Sequence, residues 1–198
     1  LEDFRVQAGQ DAGMTVDAAK AVDGCERNLD CTARRTEGSA RNAPTICHKP
    51  TKRCVPLTSE DCQTITGDYT DDEAVIIGSL FSTSGAQASI NRAREQSAIL
   101  AVEEINAAGG VPAGTTSAGA RPLVLVSCDE SQLLRAAGHL VHDLGVPAII
   151  GPNTSQDTLD VSNKLTIGSG TLVISPTAVA SSIADLLDED LTWQMVPT

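Results

Sequence analysis

The most informative part of the sequence is the run Val146-Pro-Ala-Ile-Ile-Gly-Pro-Asn-Thr-Ser155. Its apolar part ends at Gly151-Pro152, and the polar residues that follow lead into a segment with helical periodicity. This pattern predicts a buried strand, a tight turn and the start of a helix. A hydroxyl such as that of Ser155, at a helix N-terminus, lies beside unpaired backbone N–H groups that can hold a small carboxylate. The alternative interpretation is a serine that only caps the helix.

On both sides of this run, short apolar segments alternate with longer segments of helical periodicity. The predicted strands are 74–80, 122–127, 148–150, 171–175 and 191–196, and the predicted helices are 90–106, 131–144, 155–165 and 180–187. Alternation of this kind gives β-α-β units with right-handed crossovers. We therefore predict an α/β fold with an open, mostly parallel sheet between two layers of helices.

Three turns follow predicted strands on the same edge of this sheet, at 82–87, 153–156 and 176–180. Ligands of open α/β sheets bind outside the carboxyl ends of the strands, where the strand order reverses. The turns carry hydroxyls, small side chains and backbone N–H groups, with no acid, base or metal cluster. The chain also has no G-x-S-x-G elbow and no phosphate-binding glycine loop with a lysine. These features predict a binding protein rather than an enzyme, without cofactor or metal.

Composition narrows the possible partners. The formal net charge of −12 argues against binding to nucleic acid or to an anionic membrane surface. No apolar run reaches the roughly 18 residues that a membrane span needs. The start, Leu1-Glu-Asp-Phe, lacks the basic and apolar regions of a signal peptide, which suggests a mature chain.

The cysteines divide the chain. Five of the six lie in the first third, with the spacing C-x5-C-x15-C-x6-C-x7-C. A segment so short and polar needs cross-links to fold, and none of the spacings fits a zinc site, which favours pairs two to four residues apart. We therefore favour disulfides over zinc, and with them an oxidising compartment. The predicted divisions are a flexible leader (1–24), a disulfide-stapled irregular extension (25–72) and an α/β ligand-binding lobe (73–198).

Spacing does not determine the disulfide pairs, so the pairing is a hypothesis. Five cysteines cannot pair among themselves, and Cys128 lies far downstream. We expect Cys62 to pair with Cys128, which would tie the extension to the lobe. The remaining pairs of the hypothesis are Cys25–Cys47 and Cys31–Cys54.

Several other polar residues have two interpretations. The acidic run 68–73 resembles a calcium loop but lacks its glycine and its bidentate glutamate, so a solvated linker is favoured. His139 and His142 could share a helix face, but two imidazoles make a poor metal site, and a solvent-facing pair is favoured. His48 is expected to be exposed. Asp129-Glu130 is interpreted as an acidic pair that caps a helix.

Five blocks of the sequence together resemble a known family. They are 75–85, 98–110, 148–155, 173–178 and 192–197, in this order and spacing. The chain is similar to the type I periplasmic binding proteins, specifically to the leucine/isoleucine/valine-binding branch of ABC transporter substrate-binding proteins. The similarity covers roughly residues 74–198, and the cysteine-rich extension lies outside the usual family pattern.

The resemblance implies a function. Proteins of this family have two α/β lobes that close on an amino acid or similar small carboxylate, which is handed to the membrane subunits of an ABC importer. This chain corresponds to the first lobe, with the second lobe absent. The implied location is the periplasm or the cell exterior, with a lipid anchor on the precursor as one option. The alternative function is a ligand-sensing ectodomain that uses the same fold without transport.

The resemblance also assigns the site. Ser155 falls where the family holds the ligand carboxylate, and Thr177 and Ala178 fall on the second ligand-contacting turn. Val179 replaces the threonine that contacts the ammonium group of amino-acid ligands, and Ile90 replaces an aromatic residue over the cleft. The predicted ligand-binding residues are Ser84, Gly85, Thr154, Ser155, Thr177, Ala178 and Val179.

Overall fold

The structure, a computed structural model, describes residues 24–33, 43–112 and 119–197. The predicted leader lies outside these residues except for Gly24. In the extension, a short helix α1 (Asn28–Ala33) packs on a hairpin of β1 (Thr45–His48) and β2 (Arg53–Pro56). The extension therefore has more regular structure than predicted, although its buried core consists of cysteine side chains.

All three disulfides of the hypothesis are present: Cys25–Cys47, Cys31–Cys54 and Cys62–Cys128. The first links the residues just before α1 to β1, and the second links α1 to β2. The third links β3 (Cys62–Thr66) to β7 (Leu123–Asp129), its antiparallel neighbour in the main sheet. The predicted division at residue 72 stays a prediction, but β3 belongs to the sheet of the α/β part. Its pairing explains how the polar sequence CQTIT forms a strand, because an edge strand needs only one buried face.

The main sheet has six strands in the order β10-β9-β8-β4-β7-β3. Besides β3 and β7 it contains β4 (Val75–Phe81), β8 (Ala148–Ile150), β9 (Leu172–Ser175) and β10 (Thr192–Gln194), and these four pair in parallel, as does β7 with β4. A small hairpin of β5 (Val111–Pro112) and β6 (Ala120–Arg121) precedes β7. The predicted parallel α/β sheet is confirmed, with one antiparallel edge strand that the sequence did not indicate.

Helices cover both faces of the sheet. Helix α2 (Ala88–Ala107) places Val102 against Leu123 and Leu125 on one face. On the other face, α3 (Leu133–Gly138) continues through a π-helical turn (His139–Asp143) that packs Leu140 against the sheet. The larger apolar cluster, which includes Leu80, Val126, Leu140, Ile149, Val161 and Val173, lies on this face. The three-layer architecture is therefore as predicted.

The helix ends differ from the predicted ones. Helix α4 (Ser155–Val161) continues through a π-helical turn (Ser162–Thr166) into α5 (Ile167–Ser169), four residues past the predicted end at residue 165. It stops where Gly170 takes a left-handed conformation (φ 72°), which glycine adopts without a steric penalty. Helix α6 (Ser181–Ala184) is shorter than the predicted 180–187.

Candidate functional site

The candidate site lies at the carboxyl edge of the sheet. Strands β9, β8 and β4 are neighbours and run parallel, so the turns that follow them lie side by side, as predicted. The chain passes from β4 to β7 on one side and returns to β8 on the other, so the strand order reverses at β4. Ligands of open α/β sheets usually bind at such a reversal. We call the edge formed by the turns after β4, β8 and β9 the crevice.

The turn after β8 depends on Gly151. Its φ is 102°, and a Cβ atom at this position would collide with the carbonyl oxygen of Leu80 on β4. Only glycine lets the backbone approach the neighbouring strand so closely. This approach brings the turn after β8 against the end of β4.

Ser155 does not cap its own helix. Thr154 does so: its hydroxyl accepts the N–H of Asp157 at 3.1 Å. The Ser155 hydroxyl oxygen instead accepts the N–H groups of Val179 and Ala180, at 3.0 and 3.1 Å, on the turn after β9. A serine hydroxyl has two acceptor lone pairs and one proton. With both lone pairs engaged, the proton is the group left for an anionic partner.

Hydrogen bonds to neighbouring residues hold the turn after β9, which carries Thr177 and Ala178. The Thr177 hydroxyl donates to the carbonyl oxygen of Asn153 at 2.7 Å, and Ala178 is buried with its N–H donating to the Ser175 hydroxyl at 3.2 Å. These bonds join the turn after β9 to the turn after β8. The structure therefore brings Thr177 and Ala178 next to Ser155, while their role in ligand contact stays a prediction.

The remaining predicted residues lie at the surface of the crevice. Ser84 and Gly85 are exposed in the turn after β4, where Gly85 has a φ of 69°. Val179 is 55% exposed, and Ile90 is also 55% exposed at the start of α2. The two residues that depart from the family pattern therefore both present apolar side chains to solvent at this end of the molecule.

Two polar residues of the site were not among the predicted ligand-binding residues: Glu130 and Asn153, the second of which lies in a predicted turn. Glu130 follows β7, and one of its carboxylate oxygens, Oε1, accepts hydrogen bonds from the Ser82 hydroxyl and, at 3.4 Å, from the Asn153 amide. Burial raises the pKa of the Glu130 carboxyl, against the lowering effect of these two hydrogen bonds and of the nearby backbone N–H of Asn153. The acidic pair was interpreted as a helix cap, and this holds for Asp129, which accepts the N–H of Ser131 at 2.8 Å. Glu130 also lies in the first turn of this helix, as interpreted, but its side chain accepts hydrogen bonds from the turns after β4 and β8 rather than from the helix itself.

The histidines also differ from expectation. His139 is buried rather than solvent-facing: its Nε2 donates to the carbonyl oxygen of Leu57 at 3.1 Å, and its Nδ1 lies 2.9 Å from Asp143 Oδ2. The extension covers this part of the helix, which the helix sequence alone could not reveal. His142 is exposed as expected, whereas His48 is half-buried beside Gly145.

Among the described residues, one cluster has the geometry to hold a metal ion: Cys25, Cys31 and Cys54. All three sulfur atoms belong to disulfides, which favours the disulfide interpretation of the extension over zinc. A cavity of about 340 Å³ between the extension and α3, lined by Asp61, Arg135 and His142 among others, lies away from the crevice. In the described part of the chain, no helix has the length and apolarity needed to cross a bilayer.

Comparison with known proteins agrees with the geometry. The sequence pattern of the family described as "Periplasmic binding protein" matches residues 74–192. The branched-chain amino acid transporter substrate binding protein LivJ from Streptococcus pneumoniae is 28% identical, with a TM-score of 0.53 over 61% of this chain and 33% of LivJ. A putative branched-chain amino acid ABC transporter protein from Rhodospirillum rubrum is 25% identical, with a TM-score of 0.53 over 63% of this chain and 34% of its own.

A third solved structure shows the same fold at lower identity. The solute binding protein of an ABC transporter from Rhodopseudomonas palustris is 17% identical, with a TM-score of 0.52 over 64% of this chain and 32% of its own. The chain thus spans about a third of the length of these proteins. A search of curated proteins found no match. The family match covers more than half of the sequence and includes all three turns of the crevice. The chain belongs to the periplasmic binding protein family.

Proposed function

We propose that this chain supplies one wall of the binding site of an extracytoplasmic solute-binding protein, which delivers an amino acid or similar small carboxylate to the membrane subunits of an ABC importer. The observation that carries the proposal is the Ser155 hydroxyl. It lies where the strand order reverses, with both lone pairs engaged by Val179 and Ala180 and its proton left to donate. That arrangement suits a carboxylate oxygen.

The compared proteins support the transport function over the sensing alternative. The two with at least 25% identity are named for branched-chain amino acid transport, and the structure of LivJ holds isoleucine. Three disulfides support an oxidising, extracytoplasmic location, where such cross-links persist. The proposal includes no catalytic step, because the family is one of binding proteins and the groups at Ser155 are hydrogen-bonding groups.

Two ligand classes are candidates, an amino acid and a carboxylate without an amine. Val179 bears on the choice between them. The exposed valine side chain offers no hydrogen bond to an ammonium group, which favours a carboxylate without an amine. The likeness to LivJ favours an amino acid. L-isoleucine and 3-methylpentanoate share one carbon skeleton and differ only in the amine. Calorimetry with both probes on the full-length protein therefore tests binding and separates the two classes.

Replacing Ser155 tests the carboxylate site. In the full-length protein we expect Ser155→Ala to weaken binding of the tighter probe by about 1–3 kcal/mol, or roughly 5- to 150-fold, because a carboxylate oxygen loses its donor. Ser97→Ala is the matched control, since Ser97 is exposed on α2 and bonds only to its own helix at Ala93. Equal affinity of Ser155→Ala and wild type would remove Ser155 from the site.

A further inference from the structure

Glu130 connects the turns of the crevice. It follows β7, and its Oε1 accepts from Ser82 in the turn after β4 and from Asn153 in the turn after β8. Asn153 in turn accepts, through its backbone carbonyl, the Thr177 hydroxyl of the turn after β9. One carboxyl group thus lies at the centre of a hydrogen-bonded chain that links all three turns of the proposed site.

The second oxygen of this carboxyl group is different. Glu130 is only 8% exposed, and its Oε2 is buried with no hydrogen-bond partner among the described residues. A buried carboxylate with an unpaired oxygen is costly in its charged form and much less so when protonated. Because Oε1 already accepts two hydrogen bonds, Oε2 is the atom that would carry the proton.

The charges around Glu130 are mostly negative. Asp157, in the first turn of α4, raises the pKa of the Glu130 carboxyl by its charge, after the larger effect of burial. Asp129 precedes it in the chain, and the charge of Asp129 acts in turn on Glu95 of α2. The cations that face this region from α2 are Arg94, which donates to the Asn153 side chain at 3.2 Å, and Arg92, which donates to the Thr83 carbonyl at 2.9 Å. Neither arginine bonds to Glu130.

We propose that Glu130 is a positioning residue which holds the three turns at their spacing, and that it takes up a proton from solvent when an anionic carboxylate binds at Ser155. The inference rests on the proposed function, since it needs an anion at the start of α4. Asp157 is two residues from Ser155 on the same helical turn, and its charge already acts on Glu130. A ligand carboxylate at Ser155 would add a second negative charge to the same side.

The direction in which ligand affinity changes with pH follows from the linkage between ligand binding and proton binding. A bound anion raises the pKa of Glu130 further, so the complex holds more protons than the free protein. Affinity is then highest when Glu130 is already protonated, and it falls as the pH rises through the Glu130 pKa. For one proton the decline cannot exceed about tenfold per pH unit.

The first experiment needs no ligand. NMR titration of the Glu130 side-chain carboxyl, assigned by its absence in Glu130→Gln, should give a pKa above the ordinary glutamate value. Unfolding measurements should agree. Because the folded-state pKa is raised, the stabilising contribution of Glu130 is complete below the unfolded-state pKa and is lost as the pH rises through the folded-state value. Glu130→Gln should lack this loss. An ordinary pKa for Glu130 would overturn the inference.

The second experiment measures protons on binding. Calorimetry of the full-length protein with L-isoleucine and 3-methylpentanoate, in two buffers of different ionisation enthalpy, gives the number taken up. We expect uptake by wild type and none by Glu130→Gln, whose affinity should stay within about twofold across the same pH range. Glutamine keeps an oxygen for Ser82 and Asn153, so it should bind as wild type does at low pH. Glu130→Ala loses the connection and should bind more weakly at every pH.

Glu95→Gln is the matched control, because burial also raises the pKa of the Glu95 carboxyl while its position on α2 is different. It should keep the proton uptake. Binding without uptake in wild type, or equal uptake in Glu130→Gln, would overturn the inference. If neither probe binds, the proposed function fails for this ligand class, and the ligand-free titration still decides whether Glu130 holds a proton.

Discussion

The extension and the parallel sheet are stabilised by different means. The buried core of the extension consists of Cys25, Cys31 and Cys47, with Cys54 packed against it. The core of the sheet consists mainly of aliphatic side chains, between two layers of helices. A short polar segment cannot bury enough apolar area to offset its conformational entropy, so covalent links replace burial there.

The extension and the sheet nevertheless share one hydrophobic cluster and one pair of strands. Leu57 and Ile46 of the extension belong to the larger cluster of the sheet, and β3 pairs with β7. The N–H of Asp129 donates to the carbonyl oxygen of Asp61 at 2.8 Å, at the turn that leads to Glu130. The extension therefore supports the turn after β7, which holds the unpredicted acid of the site. Each of the following changes tests how far the sheet depends on this support.

The largest effect is expected from the disulfide between the two regions. Replacing both Cys62 and Cys128 by serine opens a loop with a sequence separation of 66, for which the chain-entropy relation gives a loss of about 4 kcal/mol in the free energy of unfolding. Denaturant unfolding followed by circular dichroism measures it.

The matched control replaces both Cys25 and Cys47 by serine. Their separation is 22, and Cys31–Cys54, with a separation of 23, closes nearly the same loop, so the loss should be smaller. Equal losses for the two double variants would mean that the extension stabilises the sheet as a unit rather than through Cys62–Cys128.

The sequence predicted the parallel strands of the sheet but not its antiparallel edge strand β3. Strands such as Val75–Phe81 are apolar runs buried on both faces, so composition alone indicates them. Strand β3 exposes Gln63 and Thr64, and only its partner β7 explains why it is extended. The π-helical turns after α3 and α4 likewise have no local signal.

The candidate site likewise has one part that the sequence indicated and another that it did not. The order of the elements indicated that three turns lie at one edge of the sheet, and the structure confirms it. The role of Glu130 depends on Ser82 and Asn153, which lie 48 and 23 positions away in sequence. Contacts of this kind arise from the fold, so spacing within the sequence could not reveal them.

A single core residue tests whether the extension contributes to the core of the sheet. Leu57 is 0% exposed in the larger apolar cluster. Leu57→Ala should lower the free energy of unfolding by about 2–4 kcal/mol through lost burial and the cavity left behind. Leu187→Ala, at a site that is 97% exposed, should change it by less than about 0.5 kcal/mol. A loss below 1 kcal/mol for Leu57→Ala would show that the extension packs too loosely to support the sheet.

The smallest effect concerns the ion pair between Arg135 on α3 and Asp61 beside β3. Two hydrogen bonds join the side chains, from Nε to Oδ2 at 2.6 Å and from Nη2 to Oδ1 at 2.8 Å. The Asp61 side chain is 7% exposed, while that of Arg135 is 53% exposed, so solvent screens only one partner well. Arg135→Lys keeps the charge but loses the paired geometry.

We expect Arg135→Lys to cost about 0.5–1 kcal/mol in the free energy of unfolding. The control is Lys164→Gln, which removes an exposed pair with Asp160 within one helix and should cost about 0.3–0.5 kcal/mol at most. Measuring both at low and high salt separates the cases, because salt should reduce the Lys164 effect more than the Arg135 effect. If both variants respond to salt alike, the Arg135–Asp61 pair behaves as an ordinary surface pair. The support of the turn before Glu130 would then come from Cys62–Cys128, the Leu57 contact and the backbone hydrogen bond from Asp129 to Asp61.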